Sequence, residues 1–141
     1  MNITAIIPVF NIADYIGAAL SSALAQNPAF SRIIMVDDGS TDETRKVVAR
    51  YDDPRILYHY KPNCGLGPAR NTGLDLADTE FIYFMDGDDI LEPGLTTAFH
   101  AAIKKYPNLD LFAFSALDFE HETGRILSTS DYMRRKHAGY F

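Results

Sequence analysis

A single cysteine, Cys64, stands in the 141-residue chain, so no internal disulfide can form and a small oxidised secreted fold is excluded. The expected setting is reducing and cytoplasmic. Cations are scarce as well: 13 Lys and Arg face 19 Asp and Glu, a formal net charge of -6. Gripping a phosphate backbone takes a surplus of Lys and Arg on one face, so nucleic acid is not an expected partner. No apolar run reaches the roughly 18 residues that a membrane span requires. The N-terminal run Ile3 to Val9 is short, lacks a basic flank, contains Pro8 and leads into Asn11 and Asp14; it reads as a first strand rather than a signal peptide. Internal repeats, low-complexity segments and linkers are also missing.

What is present is ordinary for a soluble globular protein, 47% hydrophobic and 23% charged, at a length suited to one domain with a sizeable core. Short apolar runs alternate with amphipathic ones. Ile3 to Pro8, Ile33 to Val36, Ile56 to Tyr60, Phe81 to Met85 and Leu109 to Phe114 read as strands. Tyr15, Ile16, Ala19, Leu20, Ala23 and Leu24 recur at helical spacing and predict a helix from Ala13 to Gln26. Ser40 or Thr41 is suited to cap a second helix carrying Val47, Val48 and Tyr51. A third opens with Pro68 as its first residue and runs to Ala77, and a fourth starts at Pro93 or Gly94 and closes before Pro107. This alternation predicts an α/β fold, a doubly wound, mainly parallel sheet flanked by helices with right-handed crossovers. Glu122 to Arg125 reads as a hairpin turn between short strands, and Tyr132 to Lys136 as the start of a helix.

Two of the strands end in carboxylates. Phe81 to Met85 runs into Asp86-Gly87-Asp88-Asp89, and Arg32 to Val36 runs into Asp37-Asp38-Gly39-Ser40-Thr41-Asp42. In a parallel sheet both ends lie on the same edge, where open α/β folds bind ligands. Carboxylates two residues apart can share a hard divalent cation, which can in turn hold a diphosphate. A polar turn before a helix also favours Asp, so the acidic cluster alone decides nothing.

Other chemistries fit poorly. Gly65-Leu66-Gly67-Pro68-Ala69-Arg70 has Arg70 where a dinucleotide fingerprint needs its third glycine, and it follows the third strand rather than the first. Asp86-Gly87-Asp88 begins like a calcium loop, but Ile90 and Leu91 stand where an oxygen ligand and the turn glycine belong. A receiver-like signalling domain needs an Asp and a Lys where Tyr60 and Ser115 stand, and a sugar nucleotidyltransferase needs a basic, Gly-rich loop that Phe10 to Gly17 does not supply. The four histidines, His59, His100, His121 and His137, share no ligand spacing.

Taken together, Ile6-Ile7-Pro8-Val9-Phe10-Asn11, Val36 to Asp42, Asn63-Cys64-Gly65 with Ala69-Arg70-Asn71-Thr72-Gly73, and Phe84 to Asp89 resemble the nucleotide-sugar half of the family-2 glycosyltransferases, enzymes of the A-type glycosyltransferase fold. The resemblance implies a UDP-sugar donor, a Mn²⁺ or Mg²⁺ cofactor, a carbohydrate or glycolipid acceptor, and sugar transfer to a hydroxyl with inversion. It implies donor contacts from Pro8, Phe10, Asn11, Asp38, Gly65, Arg70, Asp86, Gly87 and Asp88. Asp38 would accept from the uracil N3–H while Asp37 braces the turn; Asp86 and Asp88 would hold the metal; Lys61 is a weaker cation and Asp14 would help shape the base loop. No catalytic base is assigned, and Asp118 and Glu120 read as surface-turn residues. The expected organisation is one domain over 1–141, with a nucleotide-sugar core at 1–115 and the start of an incomplete acceptor side at 116–141. A truncated donor-binding unit with little turnover is the alternative.

Overall fold

The computed structural model describes residues 1–108, 110–113, 116–120 and 122–130. Two compact units divide the chain, Met1–Lys104 and Lys105–Phe141. The division precedes the segment expected as a fifth strand, rather than following it at 115.

In the first unit β1 (Ile3–Val9), α1 (Ala13–Leu24), β2 (Arg32–Asp37), α2 (Thr44–Val48), β3 (Ile56–Tyr60), α3 (Leu66–Leu76), β4 (Phe81–Phe84) and α4 (Leu95–Lys105) follow in strict alternation. The strands form one sheet in the order β3-β2-β1-β4, every pair parallel. The chain therefore builds outward from β1 to β3 and then returns across β1 to place β4. That reversal is a topological switch point, where the carboxyl ends of β1 and β4 border a crevice.

β1 is buried at every residue, which explains why its sequence is a continuous apolar run rather than an alternating one. Its side chains nonetheless divide by parity. Ile3, Ala5, Ile7 and Val9 join Ile33 and Met35 of β2 and Ile16, Ala19, Leu20 and Ala23 of α1 in the larger core, with Leu95 and Phe99 of α4 packed on it. On the other face Ile34 and Val36 meet Ala69 of α3, with Leu57 and Leu76 beside them. α3 lies very close to this face. A Cβ at Gly73 would stand 2.3 Å from Ile6 Cγ2, an impossible contact, so only glycine allows the helix to seat here.

Several boundaries differ from the sequence reading. α2 is a short helix of five residues, and neither Ser40 nor Thr41 caps it: its N-cap is Glu43, with no side-chain cap bond. Pro68 is the third residue of α3 rather than the first, a position whose N–H still lies in the first turn and has no helical partner to lose. Asp110 to Ala113 form no strand, and Leu111 is 80% exposed; an apolar run becomes a strand only where an edge receives it, and sequence does not reveal that. Leu109 and Phe114 lie outside the described residues, as does Tyr132 to Lys136.

In the second unit β5 (Ala116–Phe119) and β6 (Ile126–Ser130) pair antiparallel around the anticipated turn, where Gly124 adopts a φ of 68°. Asp118, read as a turn residue, instead lies exposed within β5 and accepts a hydrogen bond from Ser128 across the pair, while Glu120, beside the turn, accepts one from Thr123.

The Gly73–Ile6 approach is testable. Gly73→Ala should lower stability by about 1–3 kcal/mol through overpacking, despite the gain in helix propensity. In urea unfolding, Ile6→Ala/Gly73→Ala should be less destabilised than the sum of its single changes.

Candidate functional site

The loops after β1, β2, β3 and β4 all leave the same edge of the sheet, because every pairing is parallel. The register sets Val9 beside Asp37 and Asp37 beside Tyr60, so the ends of three strands are level.

Asp37, 1% exposed, accepts from the Ser40 N–H at 2.7 Å and from the Tyr58 hydroxyl. It braces the turn, as expected. Asp38 faces the β3–α3 loop and accepts from Lys61 Nζ at 2.8 Å, the Cys64 N–H at 3.0 Å and the Gly65 N–H at 2.6 Å. Its side chain is only 5% exposed. Burial raises its pKa, but the hydrogen bonds from Lys61, Cys64 and Gly65 outweigh that and hold the carboxyl below its ordinary value of 3.8. Lys61 is correspondingly held in its charged form by the bond to Asp38. The residue expected to meet the base is therefore also the anchor of the loop that carries Gly65.

On the β4 side, Asp86, Asp88 and Asp89 are exposed and Gly87 is buried. A Cβ on Gly87 would lie 2.3 Å from Ile12 Cδ1 and 3.2 Å from the Pro8 carbonyl oxygen, so the β4 loop is packed directly beneath the end of β1. Arg70 reaches across from α3 and donates to Asp86 Oδ1 at 2.5 Å. The pair is open to water, with side chains 35% and 52% exposed, and contributes little to stability. Arg70 Nε is buried and has no hydrogen-bond partner among the described residues. Tyr83, on β4, has its pKa pushed up to about 12, first by burial and then by the charges of Asp89 and Asp86.

Asn11 and Phe10 stand at the end of β1, Phe10 48% exposed. Asn11 adopts a φ of 51°, a left-handed conformation that Asn tolerates better than most residues. Its Oδ1 accepts from the Thr41 N–H at 2.8 Å and the Asp42 N–H at 3.3 Å, so this oxygen ties two loops together. The structure thus brings Asp38 to Gly65, Arg70 to Asp86, and Gly87 to Pro8. Asp88 has no side-chain hydrogen bond or ion pair among the described residues.

Sequence reasoning missed Asp42 and Thr44. Asp42 Oδ2 accepts from the Ala13 N–H at the start of α1 and Oδ1 from the Thr44 N–H at the start of α2, both at 3.0 Å. Burial opposes its charge, yet bonds from Thr44 and Ala13 lower its pKa. One carboxylate thus serves two helix N-termini, where negative charge is favoured. Asp14, the expected shaper of this loop, is exposed in the first turn of α1. The available signal was Ile12: an apolar residue at a helix N-cap cannot bond the first N–H groups, so an oxygen must come from elsewhere.

For a divalent cation the donor set is chemically suitable but incomplete. Asp86 and Asp88 offer hard oxygens, while no group of three or more His, Cys, Asp or Glu converges among the described residues. No helix among the described residues is long and apolar enough to cross a membrane.

A parallel sheet with carboxylates gathered at its switch point is a ligand-binding type of α/β domain. Comparison with known proteins agrees. The description Glycosyl transferase family 2 matches residues 4–138, and the chain belongs to that family. The chain is 36% identical over 106 residues to glycosyltransferase GlyA of Streptococcus pneumoniae, covering 74% of this chain and 15% of GlyA. It is 39% identical over 93 residues to the succinoglycan biosynthesis protein ExoO of Rhizobium meliloti, covering 65% of this chain and 27% of ExoO. Residues 1–349 of S. aureus TarS superpose with a TM-score of 0.70 at 30% identity, over 76% of this chain and 33% of that one. This likeness makes the fold the A-type glycosyltransferase fold. TarS has also been solved in complex with UDP-GlcNAc and with UDP. The chain spans a third or less of the length of these relatives.

The Asp38 anchor yields a signed pH prediction. Its carboxyl is lowered in the folded state, so its stabilisation is complete above 3.8 and is lost as pH falls through the lowered value. Asp38→Ala should cost about 1–3 kcal/mol at neutral pH by stranding the loop donors. Urea unfolding should show a smaller acid loss in the variant than in the wild type between neutral pH and pH of about 3.

Proposed function

We propose that this chain holds the UDP part of a nucleotide-sugar donor in the crevice between β1 and β4. The observation that carries the reading is the meeting of Arg70, Asp86 and Gly87 beneath the end of β1 at the switch point. The likeness to TarS, solved with UDP-GlcNAc and UDP, supports the choice of donor.

In this reading Pro8 and Phe10 line the uracil and ribose with backbone and apolar surface. Asp38 accepts from the uracil N3–H while its other contacts keep the Gly65 loop in place. Asp86 and Asp88 hold Mn²⁺ or Mg²⁺, which when bound offsets the charge of the diphosphate and stabilises it as a leaving group. Arg70 supplies a cation from the opposite wall, its side chain 35% exposed beside Asp86. Because Arg70 also bonds Asp86, donor and metal draw apart a pair that is weak in water.

Transfer belongs to the whole protein. An acceptor hydroxyl, on a carbohydrate or glycolipid, attacks the anomeric carbon as the bond to the diphosphate breaks, and a carboxylate takes the hydroxyl proton. One displacement inverts the anomeric centre. The base is not placed among Asp118 and Glu120, which are bonded within their own hairpin.

Calorimetric titration of UDP, with and without Mn²⁺, tests the donor site. Binding should depend on metal and fall at least about tenfold in Asp88→Ala, a loss of roughly 1.4 kcal/mol. Arg70→Met should weaken binding to a similar degree with a smaller change in its metal dependence. Metal-independent binding, or no binding by a folded wild type, would refute the assignment.

A further inference from the structure

Between β1 and α1 the chain turns in three residues, Phe10, Asn11 and Ile12. Three consecutive N–H groups in and after that turn are all taken by side-chain oxygens of one distant segment. Asn11 N–H donates to Ser40 Oγ, Ile12 N–H to Thr44 Oγ1 and Ala13 N–H to Asp42 Oδ2, each at 3.0 Å. The bonding is reciprocal, because Asn11 Oδ1 accepts from the Thr41 and Asp42 N–H groups. Residues 40, 42 and 44 alternate along their segment, and their three oxygens match three successive donors.

Successive N–H groups beside a left-handed residue at a helix N-terminus ordinarily make a nest for an anion. Here the nest is filled from within. A phosphate cannot occupy it without expelling Asp42, so a diphosphate is left to the Arg70, Asp86 and Asp88 side of the crevice. Filling it also fixes the backbone on which Phe10 sits, at a turn whose left-handed Asn11 would otherwise relax.

We infer that Ser40, Asp42 and Thr44 form a clasp that positions the β1–α1 turn for the donor and keeps phosphate away from the start of α1, an inference that rests on the donor reading above. Thr44 gives the cleanest test. It is 0% exposed and cannot touch a ligand, so any effect on binding passes through the turn.

The experiment compares wild type, Thr44→Val, Thr44→Ser and Ser40→Ala for UDP affinity with Mn²⁺ by calorimetry, and for amide hydrogen exchange at residues 11–13. Thr44→Val, which keeps shape but loses the acceptor, should weaken UDP binding about tenfold, as expected for one stranded donor, and should speed exchange at Ile12. Thr44→Ser should restore both, which a purely space-filling role for Thr44 would not produce. If Thr44→Val does not fold, Ser40→Ala replaces it, with faster exchange at Asn11 and weaker UDP binding as the expected pair. Wild-type affinity in a folded Thr44→Val or Ser40→Ala variant overturns the clasp and leaves the donor site intact. A folded wild type that does not bind UDP overturns the donor reading and the clasp's role with it, and the exchange rates then report only on the order of the turn.

Discussion

The site depends on β1 being hydrogen-bonded in parallel on both edges and buried on both faces. A strand so enclosed has no freedom to slide, since moving one residue would exchange its Ile6 and Ile7 environments and break the register with β2 and β4 together. The levelling of the strand ends follows from that immobility. The loops after β1, β2 and β3 open at one height, while β4 ends level with Ile6 and leaves a gap beside the end of β1. Helix packing serves the same end. α3 can approach Ile6 closely because residue 73 has no side chain, and this brings Arg70 within reach of Asp86.

Electrostatics at this edge is more balanced than the count of carboxylates implies. Asp37, Asp38 and Asp42 are satisfied internally by N–H groups, a tyrosine hydroxyl and a lysine. Their negative charge is spent on loop geometry. The carboxylates left facing water cluster after β4, where one is held loosely by Arg70. The buried acids of this edge, Asp37 and Asp38, are thus each met by fixed donors.

Much of this was legible in the sequence. β3 begins and ends where Ile56 and Tyr60 predicted, and the two acidic strand ends do share one edge of a parallel sheet. Composition and periodicity report burial, and burial is what makes a strand. They do not report partners. Leu109 to Phe114 is as apolar as a real strand, yet the described part of it, 110–113, forms none. The roles of Asn11, Asp38 and Asp42 were hidden for the same reason: a side chain that bonds a residue about thirty positions away has no local signature. Only an omission, the apolar Ile12 at a helix start, hinted that help came from outside.

The pairing of residues 40, 42 and 44 with the turn at 11–13 bears on how such a domain can diversify. Each loop is the template for the other, so a residue inserted in either would put three donors and three acceptors out of step at once. Their lengths are locked together, and neither is free to drift. The loop before α3 is held to Asp38 through Lys61, Cys64 and Gly65, but at the start of α3 a side chain at Gly67 would meet no atom within 4 Å. New side chains are best tolerated at position 67, where variation can accumulate without disturbing the frame.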